Sequence, residues 1–419
     1  MRACIKICLQ LFFLCALGVA GMYPSRAATL YVGTGQAFKQ IRPALSASHP
    51  GDSIIIGKGI YKEGNLVIDK PLFILGDQMP VLDGAFRYEI LSVKSDRVTI
   101  KGLILQNSGR SALSDPGAVK IYDASYVTIT HNILRNNYFG IYLQYAAHCV
   151  ITNNVITASQ KEEHQSGNGI HCWKSDSLQI TGNRITGHRD GIYFEFVTHS
   201  VIWRNISRNN LRYGLHFMFS HNNAYITNYF KNNGAGVAVM FTKHVVMMNN
   251  TFEENWGDAA YGVLFKELSD CYLSGNRFIK NTTGIFFDGS NRIIVTRNEF
   301  RSNGWAIRLQ ANCMDNTIGQ NNFMGNTFDL ATNGTLTLNR FTGNYWDKYE
   351  GYDLNRDRTG DVPYRPLSMY SMIVERNPPA MLLYRSFIIR LLDQSEKIVP
   401  TLTPEQLIDN RPRMIPYNL

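Results

Sequence analysis

Beyond its N-terminal leader the chain has no apolar run approaching the roughly 18 residues that a membrane-spanning helix needs. The only long one is Ile7 to Gly21, and it sits between a basic start and the small residues Ser25 and Ala27. That pattern reads as a secretory signal peptide over residues 1–27, cleaved after Ala27, with an exported and soluble mature protein. Clustered charge is also missing. The net charge is +9, but the basic residues are scattered, and Arg2, Lys6 and Arg26 leave with the signal, so nucleic acid is excluded as a partner class. Cysteine is scarce. Of 7, Cys4, Cys8 and Cys15 fall in the leader, and no lipoprotein-type cleavage sequence surrounds Cys15. Cys149, Cys172 and Cys271 occupy inward strand positions as small hydrophobes, and Cys149 and Cys172 lie on different strands of their rungs, which argues against a disulfide. Cys313 falls in a turn and is expected to be the reactive thiol.

What the chain has is repetition. Gly140, Gly169, Gly191, Gly214, Gly236, Gly262 and Gly284 each open a similar unit, and 14 residues later stands Asn154, Asn183, Asn205, Asn228, Asn250, Asn276 or Asn298. Units mostly 22 or 23 residues apart are stacked supersecondary modules. Apolar residues lie one and three, then nine and eleven, positions after each glycine, the period of strands rather than helices. The fold class predicted is all-β, a right-handed parallel β-helix with one rung of roughly 4.8 Å per lap. Stacked asparagines then form an inward amide ladder that satisfies turn backbone.

The solenoid is expected over residues 28–345, with a capping helix in Gln36 to Ser48, where Phe38, Ile41 and Leu45 recur at helical spacing. Ala158 to Asn168 forms a protruding loop, and a smaller insertion holds Asp258 and Ala259. Residues 346–365 form an acidic terminal loop. Within it Asp353, Asn355, Asp357 and Asp361 alternate like calcium ligands, although Arg358 replaces the turn glycine and Tyr364 stands where a bidentate Glu would close the loop. A hydrogen-bonded acidic turn and a calcium site both fit this pattern. Residues 366–419 read as a helix from Met381 to Leu392 followed by an extended arm, docking a membrane partner through the helix's apolar surface. Truncation before Pro378 is expected to leave a folded β-helix.

Positions two and four after each glycine point away from the core. This column holds His171, Glu195, His216, Met218 and Met240, with Met218 and Met240 direct neighbours on successive rungs. Thioethers with an imidazole suit copper, above all Cu(I), so His216, Met218 and Met240 form one candidate site and His171 and Glu195 a second stop; an apolar docking strip is the alternative. His148, His199 and His244 recur eight after the glycine but two rungs apart, about 10 Å, too far to share an ion. Glu195 and Asp288 lie four rungs apart, about 19 Å, which excludes a paired-carboxylate sugar hydrolase.

The stretch Asn344-Tyr-Trp to Asp361-Val-Pro-Tyr364 and the tail Asn377-Pro-Pro-Ala-Met-Leu-Leu-Tyr-Arg-Ser to Asp409, on an exported Gly/Asn-rich β-helix, resemble the NosD family, periplasmic maturation proteins of nitrous oxide reductase. The resemblance implies a non-enzymatic protein that handles copper transiently. It implies work with the ABC transporter ATPase NosF and membrane subunit NosY, copper supply by the chaperone NosL, and delivery to the reductase NosZ. Membrane contact is then through the transporter alone. The family usually has Gly where Arg358 stands. The competing expectation, from fold analogy, is a periplasmic polysaccharide-binding or polysaccharide-cleaving β-helix.

Overall fold

A computed structural model describes residues 27–111, 114–159, 162–257, 259–334, 338–398 and 407–419. Residues 1–26 of the leader, Asp258, Pro400 and Pro404 lie outside the described residues. The chain winds as a parallel β-helix, each lap contributing one strand to each of three sheets of 14, 13 and 12 strands. A typical lap runs Thr128–Thr130, Ile133–Arg135, Phe139–Gln144, and each strand pairs in parallel with its counterpart one lap on. The six-residue strands belong to the 12-stranded sheet, which carries the candidate site.

Period-2 alternation sends one residue in two into a core filled by Ile, Val, Leu and Phe. Along the 13-stranded sheet, Phe230, Phe252, Phe278, Phe300, Phe323 and Trp346 stack with centroids 5.4, 4.9, 4.8, 4.8 and 4.1 Å apart. The unit-opening glycines have a steric reason. A Cβ on Gly236 would lie 2.5 Å from the Gly262 carbonyl oxygen, so the strand cannot carry a side chain there.

The amide ladder is present as the spacing predicts. The Oδ1 of Asn228 accepts the backbone N–H and the side-chain Nδ2 of Asn205 at 2.9 and 3.0 Å, while its own Nδ2 donates to the Ile202 carbonyl at 2.9 Å. A second ladder runs five residues further along each lap through Asn210, Asn233, Asn255, Asn281, Asn303 and Asn326. It was not anticipated, although the constant offset from the first ladder is legible in the sequence. His188 takes the corresponding place one lap before Asn210; its backbone N–H donates to Asn210 Oδ1 and both of its ring nitrogens are unpartnered.

Both ends are covered. Helix α1, Ile41–Ala47, buries Ile41, Ala44 and Leu45 over the first laps, a shorter helix than the spacing indicated. At the other end the tail returns to the solenoid. Asp409, fully buried, accepts from Gly343 N, from both nitrogens of Asn344 and from Trp346 Nε1, so it occupies the next rung of the first ladder from 65 residues away. Truncation before Pro378 would remove this cap and leave the last rung of the amide ladder open, which bears on the expectation that the β-helix stays folded without the tail.

The single helix expected from Met381 to Leu392 is corrected. Instead α2 spans Met369–Arg376, a 3-10 segment spans Pro378–Leu383, and α3 spans Phe387–Ile398. Tyr370 donates its hydroxyl to the Ala380 carbonyl at 2.9 Å, holding the 3-10 turn, and Arg385 takes a left-handed φ of 64° that ends it. Cys313 is another correction. It is fully buried like Cys149, Cys172 and Cys271, all four are free, and burial pushes its thiol up to about 11, so it is not a reactive surface thiol.

Candidate metal-binding face

The outward face of the 12-stranded sheet is covered at its two ends by other parts of the chain. At the N-terminal end, Lys120 Nζ donates to the Ser114 carbonyl at 2.8 Å, and Ser166, Gly167 and Asn168 of the predicted protruding loop are buried, with Gly167 against Phe139. At the C-terminal end Glu375 of α2, paired with Arg308 at 3.0 and 2.8 Å, lies over the last rungs. Between them lie Glu195, Met218, Met240, Leu264 and Lys266.

Strand register confirms the column read from the sequence. Tyr142, His171, Tyr193, His216, Ala238 and Leu264 are successive neighbours, as are Trp173, Glu195, Met218, Met240 and Lys266. Met218 and Met240 are half-buried. His171 and His216 do not meet. The Tyr193 ring lies between them, with centroids 4.8 and 4.9 Å away, so the two imidazoles serve separate surroundings. Asn168 Nδ2 lies 2.9 Å from His171 Nδ1, and burial beside Arg189 lowers the His171 pKa to about 3. Glu195 accepts the Tyr193 hydroxyl at 3.3 Å.

His216 is the unusual member. Its side chain is 5% exposed, it sits against the rings of Tyr193 and Tyr213, and its Nε2 has no hydrogen-bond partner. A buried, unpartnered imidazole nitrogen carries a desolvation cost that a ligand can relieve. On that observation the donor set, one imidazole and two thioethers, fits a soft cation such as Cu(I). Among the described residues no three His, Cys, Asp or Glu side chains converge on one point. Phe196, Phe219 and Phe241, which follow Glu195, Met218 and Met240, stack at 5.2 and 5.0 Å along the adjoining corner. All three hold left-handed φ of 50 to 54°, and Phe196 and Phe219 stay exposed.

The other histidine column has the turn role expected of it: His148 stacks on Tyr126, His199 contacts Asp176 at 2.8 Å and His244 contacts Asn222 at 3.1 Å. In the acidic loop the carboxylates face backbone. Asp353 accepts from the N–H groups of Asp357 and Arg358, Asn355 from Asp357, Asp357 from Thr359 and Asp361 from Leu354. Sequence reading missed Asp190, a fully buried carboxyl group 3.6 Å from His216 Nδ1, and Arg212 beside it.

Residues 47–165 and 157–351 match the family described as Periplasmic copper-binding protein (NosD). A Pseudomonas aeruginosa protein named probable ABC transporter binding protein NosD is 30% identical over 84% of this chain and 86% of its own length. Its namesake from Stutzerimonas stutzeri is 25% identical over 92% of both chains. Solved structures share the fold at low identity: an α-1,3-glucanase catalytic domain has a TM-score of 0.57 at 11% identity, covering 78% of this chain and 70% of that one. The A-module of a mannuronan C-5 epimerase from Azotobacter vinelandii has a TM-score of 0.52 at 16%, covering 72% and 89%. These two speak to the β-helix alone. Sequence match over most of its length, with the strand register and the glycine and asparagine pattern behind it, shows that this chain belongs to the NosD family of periplasmic copper-binding proteins.

Proposed function

We propose that this chain is a periplasmic accessory protein of nitrous oxide reductase maturation that receives copper from the chaperone NosL and hands it to the reductase NosZ while seated on an ABC transporter formed by NosF and NosY. The observation that carries the copper reading is the in-register pair Met218 and Met240, with a buried His216 two residues before Met218 on the same strand whose Nε2 has no partner. In this reading those three residues hold Cu(I), and the absence of a thiolate keeps the complex labile enough to pass the ion on. His171 and Glu195 serve as a second stop on the same face.

The transporter reading draws on the names of the curated relatives and on the C-terminal segment. No helix among the described residues is long and apolar enough to cross a membrane. Yet Leu382, Phe387, Ile388 and Leu391 are 90%, 76%, 61% and 45% exposed, beside an apolar groove of about 420 Å³ lined by Tyr370, Ile373 and Leu392. Apolar surface of this kind calls for a protein partner.

The test of the copper reading is Cu(I) titration of the mature protein and of the double variant Met218→Leu, Met240→Leu, alongside reductase maturation in cells. Leucine keeps apolar volume and removes both sulfurs, so the variant should fold, lose Cu(I) affinity at least tenfold and fail in maturation. Unchanged affinity with normal maturation would reduce the column to an interface.

A further inference from the structure

Asp190 is the residue before the unit-opening Gly191, and its side chain is fully buried. Its Oδ1 accepts the Tyr213 backbone N–H at 3.3 Å and lies 3.3 Å from Arg212 Nε. Its Oδ2 has no hydrogen-bond partner and lies 3.6 Å from His216 Nδ1. Arg212 Nη2 is 3.3 Å from the same Nδ1. Two groups thus compete for one ring nitrogen, and the outcome decides which nitrogen of His216 carries the proton.

The alternatives differ in what they leave unpaired. If Arg212 donates to Nδ1, the proton sits on Nε2, and the chain buries both an unpartnered N–H and an unpartnered carboxylate oxygen. If Nδ1 carries the proton, Asp190 Oδ2 gains a donor, Arg212 Nη2 gives up the ring on a side chain that is 35% exposed and so reaches water, and a lone pair on Nε2 is left open; the buried Arg212 Nε lies beside Oδ1 without a hydrogen-bond partner in both cases. The second arrangement buries fewer unmet groups and gives the buried carboxyl oxygen a donor.

We propose that Asp190 is a positioning residue that holds His216 in the Nδ1-protonated tautomer, so that Nε2 presents its lone pair to the copper ion. The proposal rests on the reading of His216 as a copper ligand. A carboxylate behind a ligating imidazole is a recurrent way of orienting the ring and raising its basicity, and removing one typically costs about 10–100-fold in metal affinity. Arg212, 3.3 Å from Oδ1, is the counterpart that seats the Asp190 carboxyl. Neither residue touches the ion.

The experiment begins without metal. Long-range proton–nitrogen correlation on the 15N-histidine-labelled full-length mature protein, with His216 assigned by its loss in His216→Asn, reads the tautomer directly. The expected wild-type result is a protonated Nδ1 and a bare Nε2. Asp190→Asn should move the proton to Nε2 and weaken Cu(I) binding about 10–100-fold against a chromophoric chelator, with the β-sheet spectrum unchanged. A protonated Nε2 in the wild-type apoprotein overturns the proposal even if the variant does not fold, and so does an Asp190→Asn protein that keeps both the tautomer and the affinity. If the wild-type tautomer is as expected but His216→Asn binds Cu(I) as tightly as wild type, then His216 is not a ligand. The copper reading of that residue then fails, and the positioning role with it.

Discussion

The inner and outer faces of the same strands follow opposite rules. Inside, each rung repeats its neighbour: amide bonds amide, phenyl stacks on phenyl, and Asn205, Asn228 and Asn250 have near-identical partners one lap apart. Outside, on the 12-stranded sheet, repetition breaks down except at the Met218 and Met240 pair; His171, Tyr193, His216 and Ala238 follow one another, and unpartnered polar atoms gather at Asn168, Asp190, Arg212 and His216. Repetition supplies stability by nearest-neighbour contact, while departure from it marks the places where the chain meets something else.

The largest expected effect lies on the inner side. Asp409→Ala should cost about 3–5 kcal/mol and begin unfolding from the C-terminal rungs, since it leaves Asn344, Gly343 and Trp346 without their acceptor in a buried setting. Hydrogen exchange of the last laps would show this, and a loss confined to the tail would separate the cap from the solenoid. Asn228→Ala, in the middle of the ladder, should cost about 2–4 kcal/mol by leaving both nitrogens of Asn205 and the Ile202 carbonyl unpaired. Denaturation midpoints of the two variants would rank cap against ladder.

A pH series gives the next effect. Burial lowers His188 to about 4 and His171 to about 3, so both are neutral in the folded chain, whereas the unfolded chain takes up their protons below about 6.5. Their contribution is therefore complete above pH 6.5 and lost as pH falls, by about 1.4 kcal/mol per unit for each histidine until the folded pKa is reached. His188→Asn, which puts an amide back into the second ladder, should remove its share of that slope. An unchanged slope would mean that the break in the ladder is already protonated.

Variants on the outer face should show little stability effect. Met218→Leu with Met240→Leu should shift stability by less than about 1.5 kcal/mol while lowering Cu(I) affinity at least about tenfold, the sharpest contrast with Asn228→Ala. A large loss of stability would erase the distinction between the faces. The smallest effect is expected at the acidic loop, where Asp353, Asp357 and Asp361 already accept backbone N–H groups. Thermal unfolding should be unmoved by a chelator followed by calcium, and a rise in midpoint with calcium would make the loop a cation site.

The sequence alone determined what is periodic. A glycine every lap, alternation around it and an asparagine at constant offset are set by contacts between residues one lap apart, so fold class, the first ladder and the neighbouring places of Met218 and Met240 could all be read from spacing. The second ladder was legible by the same rule and was missed. Tertiary structure decided what happens once. Asp409 completes a ladder 65 residues upstream, Cys313 is sealed by packing around its turn, Tyr370 holds the Ala380 carbonyl and helps split the expected helix, and Asp190 reaches His216 on the next rung. None of these repeats, so no spacing announces them. Each depends on which side chain fills a space that several distant segments enclose, and that choice is made by burial and hydrogen-bond satisfaction in three dimensions.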